Sequence, residues 1–419
     1  MRRIIHHAQN KWLIRTRRSW TPWGTFFPVK ETRDQTIELS VVMPCLNEAD
    51  TLAICIQKAQ AAFEASRVQG EVIVADNGSL DGCPEIARSL GARVIHVEDR
   101  GYGHALMGGI EAAHGRFILM GDADESYDFS EIPIFLAALR EGAELVQGCR
   151  LPSGGGEVKP GAMPFLHRWF GNPLLSKLAR LMFDVPVRDA YCGLRGFIRD
   201  LYDRLDLRCT GMEFATEMII KSALSGARVA EVPITLHPDG RKQHGPHLRT
   251  FRDGWRTLRL FLLYSPRWLF LFPGALLMGL GLLGYALAWP GADLFGARLG
   301  VHSLLVASLC LLMGFQSFLF AVMSKAYAIG AGLLPRDVRV ERFFKVATLE
   351  RGLVLGSLAL LAGAGLIAYT AWDWRSAGFG DLDYPTTLRS VIPGVTLAAL
   401  GFQTILSGFF VSLLGLDRR

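Results

Sequence analysis

The stretch FILMGDADESYDF, Phe117 to Phe129, joins an apolar β-strand to an acidic turn. The strand leads into Asp122-Ala123-Asp124, which sets two carboxylates one residue apart. At the carboxyl end of a strand, such a pair can hold a divalent cation against a nucleotide diphosphate, because hard cations prefer oxygen ligands and phosphate completes their shell. The alternative is a solvated turn, since Asp381-Leu382-Asp383 repeats the triplet without a preceding strand. The surrounding sequence must therefore decide.

Short β-rich runs alternate with helical stretches around this motif. The runs are LSVVM at 39–43, EVIVA at 71–75, ARVIHV at 92–97, RFILM at 116–120 and AELVQG at 143–148. This alternation predicts an α/β fold with a mostly parallel open sheet, helices on both faces and ligands at the carboxyl ends of the strands. The loop GYGHALMGG has Leu106 where a dinucleotide fingerprint requires its third glycine, which disfavours a Rossmann oxidoreductase.

Four apolar segments in the C-terminal part are long enough to cross a membrane. Each has about the 20 residues that a ~30 Å hydrocarbon core requires. They are residues 268–289, 300–323, 352–372 and 392–416. The loop between the second and third is the richest in Lys and Arg, so it is predicted to be cytoplasmic. The expected location is the cell (inner) membrane, multi-pass, with the catalytic domain and both termini cytoplasmic.

Composition divides the chain into four predicted parts. They are a basic arm at 1–36, a catalytic domain at 37–240, a mobile loop and interfacial helix at 241–267, and a membrane domain at 268–419. The arm carries eight Lys or Arg against two acids, whereas residues 37–267 carry 26 against 29. The arm can lie on anionic lipid or form a disordered tail. A net-acidic body argues against nucleic-acid binding.

The seven cysteines are scattered, with no CxxC pair or Cys/His cluster, as expected for reduced thiols and not for a zinc site. The segment LRTFRDGWRTLRLFL, residues 248–262, repeats apolar side chains at three- and four-residue steps. Arginines 249, 252, 256 and 259 run beside this stripe. The pattern predicts an amphipathic helix at the level of the lipid headgroups. Such a helix either brings the site to a lipid phosphate or serves only as an anchor.

Seven motifs occur in order over roughly residues 38–265. They are VVMPCLNEADTL, VIVADNGSLDG, GYGHALMGGIEAAHG, DADESYDF, GAELVQGCR, VRDAYCGLRGF and GMEFATEMI. Together they resemble family 2 of the inverting glycosyltransferases, specifically the polyprenyl-phosphate hexose synthases typified by dolichol-phosphate mannose or glucose synthase. The resemblance implies a GT-A fold, which is a Rossmann-like open sheet, here followed by a four-helix transmembrane domain.

The resemblance also implies a metal-dependent hexosyltransferase that uses Mn²⁺ or Mg²⁺. Its partners would be a nucleotide-sugar donor carrying UDP or GDP, a polyprenyl phosphate acceptor and the lipid bilayer. The transferred hexose would be glucose or mannose, for assembly of a cell-envelope glycan or glycoconjugate. A homo-oligomer is compatible with the sequence, which leaves the oligomeric state open.

Individual roles follow from positions that match the family's motifs. The residues expected to bind the nucleotide sugar are Glu48, Asp76, Asn77, Asp122 and Arg241, with Lys242 assisting. Asp122 and Asp124 are expected to hold the metal ion, Asp124 as the principal ligand, and Ser126 stands where some relatives supply a Gln. Asn77 stands where many relatives carry a second Asp. For Asp76, a helix cap or Asx turn is the structural alternative.

On the acceptor side, Arg150 and Arg168 are expected to act with Asp124 in catalysis by seating the lipid phosphate, a task that suits the fork of a guanidinium group. Headgroup contact without catalysis is the alternative for Arg168. The residues expected to contact the acceptor or sugar are Asp189, Arg195, Glu213 and Glu217. A structural Asp–Arg pair is the alternative for the first two, and a solvated helix face for the two glutamates.

Two other functions remain to be weighed. A polysaccharide synthase would carry Gln-x-x-Arg-Trp, but Phe165 and Tyr264 occupy the Gln position before the two Arg-Trp pairs of this chain. Transfer to another lipid, such as a diacylglycerol, stays open. A non-catalytic, nucleotide-sugar-binding membrane scaffold is the last alternative, although the intact Asp and Arg residues of the site argue against it.

Overall fold

The computed structural model describes residues 36–241, 250–294, 296–335 and 337–416. Residues 1–35 of the predicted basic arm lie outside the described residues. The same is true of Lys242, Arg249 and the side chain of Phe251. The domain boundaries drawn from composition stay predictions.

The catalytic region alternates strands and helices, as its periodicity predicts. Its strands are β1 Leu39–Cys45, β2 Gly70–Asp76, β3 Arg93–His96, β4 Phe117–Met120, β5 Leu145–Cys149, β6 Glu157–Val158, β7 Arg195–Ile198, β8 Val229–Pro233 and β9 Thr235–Leu236. Its helices are α1 Leu52–Ser66, α2 Cys83–Ser89, α3 Tyr102–Ala112, α4 Ile132–Arg140, α5 Asn172–Phe183, α6 Arg199–Leu205 and α7 Glu213–Leu224.

Seven strands form one sheet in the order β3-β2-β1-β4-β7-β5-β8. All neighbours are parallel except β7, which runs antiparallel between β4 and β5. Strand β1 lies between β2 and β4, and Cys45 at its end pairs with Asp76 at the end of β2. The carboxyl ends of β1, β2 and β4 therefore meet at one edge of the sheet, so the loops that follow them are neighbours. This sheet confirms the predicted fold class.

Alternate residues of β1 supply two hydrophobic cores. Val41 and Met43 pack with α1 and α4 on one face, whereas Val42 packs with α3 and α7 on the other. All three side chains are fully buried. Because side chains alternate across a strand, a β-strand that is apolar throughout requires helices on both faces. The continuous apolar run of β1 thus explains the layered fold.

Five further helices follow the catalytic region: α8 Thr250–Tyr264, α9 Phe272–Ala288, α10 Val301–Gly330, α12 Leu349–Ser376 and α13 Tyr384–Leu416, with the short α11 Val338–Val346 before α12. Between α9 and α10 lie two short strands, β10 Asp293–Leu294 and β11 Ala297–Arg298. Four helices, Arg267–Ala288, Val301–Gly330, Leu349–Ser376 and Tyr384–Leu414, are long and apolar enough to cross a membrane. They confirm the four predicted apolar segments.

Helix α8 packs onto the catalytic region immediately before the first membrane helix. Phe261 of α8 is fully buried, and its ring meets that of Phe183 edge-on at a centroid distance of 5.5 Å. Full burial of one such side chain stabilises the contact by about 1.5–3 kcal/mol. On the opposite side Trp255 and Leu263 are exposed, so the helix presents one face to the protein and another to its surroundings.

Candidate active site

The acidic residues predicted for the donor side gather at the carboxyl edge of the sheet. Glu48 follows β1, Asp76 ends β2, and Asp122 with Asp124 follows β4. Glu48, Asp76 and Asp124 are buried, so these carboxylates are largely shielded from bulk water. The structure thus brings together residues that are separated by up to 76 positions in sequence.

Arg241 joins two of these carboxylates. Its Nε lies 2.8 Å from Glu48 Oε2, and its Nη2 lies 2.5 Å from Asp124 Oδ2. Asp239 also contacts this guanidinium, with its Oδ2 3.2 Å from Arg241 Nη1. Burial opposes the guanidinium charge, but the charges of Asp124 and Glu48 outweigh it and raise the pKa of Arg241. A guanidinium therefore occupies the space between the two acids.

The segment before Arg241 is fixed along the acidic turn by its backbone. Gly240 N donates to Asp124 O at 3.0 Å, and His237 N donates to Ser126 O at 2.9 Å. A Cβ at Gly240 would meet Glu125 Oε2 at 2.8 Å and Thr51 Cγ2 at 2.9 Å, so only glycine allows this close approach. The contact of Arg241 with the acids is thus built into the local backbone.

The Asp122 carboxylate is a second feature of the acidic turn. Its Oδ1 is buried and has no hydrogen-bond partner in the described part of the chain. The Tyr102 hydroxyl, from the start of α3, donates to the same carboxylate. Burial, and then the charge of Asp124, raise the pKa of Asp122 to about 7. A cation near this oxygen would satisfy it, because a buried carboxylate oxygen without a donor is otherwise destabilising.

These residues fit a divalent cation as partial ligands. Asp122 and Asp124 supply hard oxygen atoms, but no group of three or more His, Cys, Asp or Glu in the described ranges is arranged to hold a metal ion. Ser126 Oγ instead donates to Asp124 Oδ1 at 2.5 Å. A bound cation would therefore take its remaining ligands from phosphate or water, and Arg241 would have to release Asp124 Oδ2.

Asp76 and Asn77 hold the loops at the end of β2. Ser79 N donates to Asp76 Oδ1 at 3.0 Å, and His96 Nδ1 lies 3.1 Å from Oδ2. Asn77 uses its amide fully as a donor, to Val97 O at 3.0 Å and Asp99 O at 2.9 Å. Its Oδ1 accepts from Gly101 N at 2.7 Å. The turn role weighed for Asp76 is present, and Asn77 positions the loop before α3; direct contact with a nucleoside stays a prediction for both.

Arg150 and Asp189 form a buried bidentate pair. Arg150 Nε lies 2.7 Å from Asp189 Oδ2, and Nη2 lies 2.9 Å from Oδ1. Burial opposes ionisation of Asp189, but the Arg150 charge holds the pKa of that carboxyl below its ordinary value. The sequence suggested a structural Asp–Arg pair between Asp189 and Arg195. Such a pair exists, but Asp189 pairs with Arg150 instead. Arg150 is thus charge-neutralised by a partner that the sequence did not indicate.

Arg195 is fully enclosed on β7. It donates from Nη1 to Ala215 O at 2.5 Å and from Nη2 to Cys192 O at 2.8 Å, and its Nε has no partner among the residues described. Burial lowers its pKa, and the nearby tyrosines 102 and 127 oppose that shift. The enclosed side chain cannot reach a sugar or lipid in this conformation. Its hydrogen bonds are to backbone carbonyls, which indicates a structural role.

Glu217 is a buried structural residue in α7. Its Oε1 accepts from Tyr264 Oη at 2.7 Å and lies 2.9 Å from Lys221 Nζ. Its Oε2 accepts from the backbone N–H groups of Arg208 at 2.8 Å and Cys209 at 2.7 Å. Both the expected sugar contact and the solvated helix face are therefore corrected: four donors hold this carboxylate between α7 and α8. Glu213 lies 3.7 Å from Arg256 of α8 and also faces that helix.

Arg168 lies in an exposed apolar segment, residues 165–174, that precedes and begins α5. Its guanidinium is stacked near the Trp169 ring, 5.6 Å from the centroid. The large side chains exposed on this segment are Phe165, Leu166, Trp169, Phe170 and Leu174. His167 lies close enough to Arg150 for that charge, after burial, to lower its pKa, and Arg150 also acts on Asp122. The charge of Arg150 therefore reaches both the acidic turn and His167 of the apolar segment.

Sequence reasoning missed several residues of this site. Tyr102 contacts Asp122 and Asp239 contacts Arg241, while Tyr127 Oη accepts from Gly193 N at 2.8 Å, next to these residues in the chain. Tyr102 belongs to GYGHALMGG and Tyr127 to DADESYDF, so both lay inside motifs already singled out. Their position within these motifs was the only signal that could have indicated a role. The sequence alone does not show whether a tyrosine uses its hydroxyl as a donor or only packs in the core.

Comparison with known proteins gives two family matches. Residues 40–206 match glycosyl transferase family 2, and residues 322–415 match the glycosyltransferase family 2 C-terminal transmembrane region. The chain is similar to the low-salt glycan biosynthesis hexosyltransferase of Haloferax volcanii, at 40% identity over 381 residues, which cover 90% of this chain and 89% of that protein. It is also 32% identical over 198 residues to the dolichyl-phosphate hexose transferase of that organism, covering 47% and 82% of the two chains.

Solved structures give a more distant similarity. Glucosyl-3-phosphoglycerate synthase from Mycobacterium tuberculosis, in complex with Mn²⁺, uridine-diphosphate and glucosyl-3-phosphoglycerate, aligns with a TM-score of 0.42 and 22% identity. The alignment covers 58% of this chain and 84% of that chain.

Proposed function

Since the chain belongs to glycosyltransferase family 2 and is a membrane glycosyltransferase, we propose that it transfers one hexose from a nucleotide sugar to a polyprenyl phosphate. The hexose is glucose or mannose, the donor carries UDP or GDP, and the product serves assembly of a cell-envelope glycan or glycoconjugate. The names of the two Haloferax relatives, a glycan-biosynthesis hexosyltransferase and a dolichyl-phosphate hexose transferase, support this choice.

The main observation in favour of a lipid acceptor is the exposed apolar segment that surrounds Arg168. Phe165 is 68% exposed and Phe170 61% exposed, which is unfavourable for aromatic side chains in water. Aromatic residues next to an arginine suit the interface between headgroups and hydrocarbon, where the rings enter the lipid and the cation meets phosphate. Because the charge of Arg150 reaches both His167 of this segment and Asp122 of the acidic turn, a lipid phosphate there would lie near a nucleotide sugar held at the sheet edge.

The donor side of the site suits a nucleoside diphosphate. Asp76 can accept from a base N–H, and Glu48 lies in the neighbouring loop that follows β1. Asp122 and Asp124 would hold Mn²⁺ or Mg²⁺, which supplies charge neutralisation for the diphosphate when bound. Arg241 already contacts both Glu48 and Asp124, so it can turn from these acids to the incoming phosphates. Its permanent charge and fork geometry match phosphate oxygens.

The chemistry then depends on alignment. A phosphate monoester oxygen is anionic at neutral pH, so no residue has to remove a proton from the acceptor. Arg168 would seat this oxygen opposite the leaving diphosphate, and Arg150, held rigidly by Asp189, would define the wall between them. In-line attack at the anomeric carbon breaks its bond to the diphosphate oxygen, forms the bond to the lipid phosphate oxygen and inverts configuration.

A cytoplasmic catalytic region is part of the proposal. The end of α10, the connection to α12 and the start of α12 carry Lys325, Arg339, Arg342, Lys345 and Arg351. Among the described residues, the loop after α9 carries only Arg298, and the turn from α12 to α13 with its adjoining helix ends carries only Arg375 and Arg389. Cytoplasmic loops are enriched in Lys and Arg. Four spans return the end of α13 to the side of the catalytic region.

The test is a donor panel offered to the purified protein. UDP- and GDP-linked glucose and mannose would be combined with undecaprenyl or dolichyl phosphate and with Mn²⁺ or Mg²⁺. One donor should yield a mild-acid-labile glycolipid together with free nucleoside diphosphate. Asp124→Asn should abolish the product, whereas Asp381→Asn, in the other acidic triplet, should leave it unchanged.

The same panel separates the alternatives. Product formed on diacylglycerol but not on any prenyl phosphate would refute the acceptor assignment and leave the family intact. Donor binding without release of nucleoside diphosphate, with every acceptor present, would favour a non-catalytic scaffold.

A further inference from the structure

Three side chains, Arg88, His96 and Asp76, form a hydrogen-bonded chain beside the donor side of the site. Strands β2 and β3 are parallel, and Asp76 at the end of β2 pairs in register with His96 at the end of β3. Residues paired in this way project their side chains to the same face of the sheet. His96 Nδ1 lies 3.1 Å from Asp76 Oδ2, and His96 Nε2 lies 3.0 Å from Arg88 Nη2 of α2. Neither Arg88 nor His96 was among the residues expected from the sequence.

Arg88 determines which ring nitrogen of His96 carries the proton. A guanidinium group only donates hydrogen bonds, so His96 Nε2 must accept from Arg88. An imidazole that accepts at Nε2 is neutral and carries its proton on Nδ1. Arg88 is itself held on α2 by Glu85, with Nη1 3.4 Å from Glu85 Oε1. The neighbouring helix thus selects the tautomer of His96 that donates to Asp76.

The Asp76 carboxylate is held through both of its oxygen atoms. Ser79 N donates to Oδ1 at 3.0 Å, while His96 Nδ1 donates to Oδ2. An ionised carboxylate has about four acceptor sites, so these two donors leave roughly one lone pair on each oxygen. The Asp76 side chain is only 4% exposed, whereas that of His96 is 59% exposed. The accessible part of the carboxylate is therefore small, fixed in orientation and able to accept a further hydrogen bond.

The neighbouring Asn77 is occupied by contacts within the protein. Its amide nitrogen donates to Val97 O and Asp99 O, and its Oδ1 accepts from Gly101 N. Both amide protons are used, so this side chain has no donor left for the carbonyl groups of a base. Recognition of a base at the end of β2 therefore depends on Asp76 and on the groups that hold it.

We propose that His96 is a positioning residue for base recognition, which holds Asp76 so that its carboxylate accepts the N–H on the pairing edge of the base. The inference rests on the proposed function. Uracil and guanine carry such an N–H, at N3 and N1, whereas cytosine and adenine present a ring nitrogen with a lone pair there. The carboxylate repels that lone pair, so Asp76 selects uridine or guanosine diphosphate over the cytidine and adenosine forms.

The experiment first measures nucleotide binding by isothermal titration calorimetry on the full chain in lipid nanodiscs, without acceptor. UDP and GDP, each with Mn²⁺, identify the preferred base, and CDP and ADP should bind more weakly. The probe is the preferred nucleotide methylated at the recognised nitrogen, which is N3-methyl-UDP or N1-methyl-GDP. Because methylation removes the N–H, the wild type should bind the probe at least about tenfold more weakly, as expected for a hydrogen bond to a charged group.

Two variants separate the hydrogen bond of His96 from its ring. His96→Ala removes the donor, so it should raise the Kd of the unmodified nucleotide about tenfold and reduce the penalty for methylation. His96→Asn keeps an amide donor near the position of Nδ1 but lacks the ring, and it should restore most of both. In turnover, His96→Ala should raise KM for the donor and leave kcat nearly unchanged, because His96 does not contact the reacting atoms.

His114→Ala is the matched control. His114 also lies beside a carboxylate of β2, with Nδ1 3.8 Å from Glu71 Oε2, but Glu71 is at the opposite end of that strand from Asp76. This variant should keep the wild-type affinity for the nucleotide and the wild-type penalty for methylation.

Three results would overturn the inference. The first is a methylation penalty in His96→Ala as large as in the wild type. The second is a His96→Asn variant that binds as weakly as His96→Ala, since the ring itself would then contact the base. The third is equal affinity of the wild type for the methylated and unmodified nucleotides, which would remove Asp76 as the acceptor. None of these results affects the proposed function, which is refuted instead if neither UDP nor GDP binds and no glycolipid forms.

Discussion

Replacing Arg241 with Gln should strengthen binding of Mn²⁺ to the protein without nucleotide. In the structure the guanidinium lies 2.8 Å from Glu48 Oε2 and 2.5 Å from Asp124 Oδ2, so it occupies the electrostatic position that a cation would take. A divalent ion must displace it from Asp124. Gln is uncharged and its amide ends short of the guanidinium position, so it leaves the acids without their internal counterion.

The magnitude follows from the contacts. Two unit charges 4 Å apart attract by about 4 kcal/mol at an effective dielectric constant of 20. Desolvation of both groups offsets much of this, so a net contact of about 1.4–2.8 kcal/mol is a reasonable size. Each 1.4 kcal/mol is a factor of ten, so Arg241→Gln should lower the Kd for Mn²⁺ about 10- to 100-fold. The same change removes a phosphate ligand and should raise KM for the donor.

Free Mn²⁺ can be counted by electron paramagnetic resonance during titration of the detergent-solubilised protein. Thermal unfolding with and without Mn²⁺ gives a second readout: the variant should be less stable without metal, by roughly 2 kcal/mol, and regain stability when metal binds. Arg140→Gln is the matched control, because Arg140 also pairs with a carboxylate, Glu38, at 2.7 Å but is exposed and not among the site's contacts. Its effect should stay below about 1 kcal/mol, with unchanged Mn²⁺ affinity.

The reasoning is refuted if Arg241→Gln binds Mn²⁺ no more tightly than the wild type. Tighter metal binding together with an unchanged KM for the donor would retain Arg241 as a competitor for the cation and remove its predicted contact with the diphosphate. The two halves of the prediction are thus tested separately.

Three further predictions concern Arg168 and two carboxylates outside the acidic turn, Glu217 of α7 and Glu131, which precedes α4 and accepts from Thr235 N at 2.9 Å. Arg168→Ala should lower kcat/KM for the lipid about 10- to 100-fold, as expected for a lost charge-assisted hydrogen bond, with the KM for the donor unchanged; an unaltered lipid dependence would contradict it. Burial raises the pKa of Glu131 to about 7. Ionisation of this carboxyl therefore destabilises the folded protein above about pH 7 and has no such effect below about pH 4.5. Glu131→Gln should raise the thermal midpoint at pH 8 but not at pH 4. Burial opposes ionisation of Glu217, but the Tyr264 hydrogen bond and the other donors outweigh it and lower the pKa of this carboxyl, so its stabilisation is present above pH 4.5 and declines as the pH falls through the lowered pKa. Glu217→Gln should cost about 3 kcal/mol at pH 7 and progressively less on acidification below pH 4.5, and a loss that does not change with pH would count against the assignment.

The sequence predicted the parallel part of the sheet because its apolar runs are local signals. LSVVM, EVIVA and RFILM become the adjacent strands β1, β2 and β4. Strand β7 was missed, since RGFI is only four residues long and its place between β4 and β5 depends on contacts far apart in the chain. A short antiparallel insertion leaves no periodicity that a local window can detect.

The site divides in the same way. Residues that follow strand ends, such as Asp122 and Asp124, could be predicted to meet because parallel strands end at one edge. The partner of Arg150 could not be predicted, because Asp189 reaches it only through the way in which the chain crosses the sheet. Glu217 becomes buried only when α8 docks and brings Tyr264 to it. Ion pairs that form only when separate elements dock cannot be predicted from the spacing of residues in the sequence.

The two arginines expected to seat the acceptor phosphate differ in whether a carboxylate neutralises them. We therefore expect them to have different roles. Asp189 neutralises Arg150 through two short contacts, so the pair is a rigid dipole with little charge to offer an anion. Arg168 has no carboxylate within ion-pair distance among the described side chains, and an aromatic face supports it instead. A long-range attraction for a lipid phosphate must therefore come from Arg168, whereas Arg150 sets geometry. It follows that Arg168→Lys, which keeps the charge, should be tolerated better than Arg150→Lys, which keeps the charge but breaks the bidentate fork.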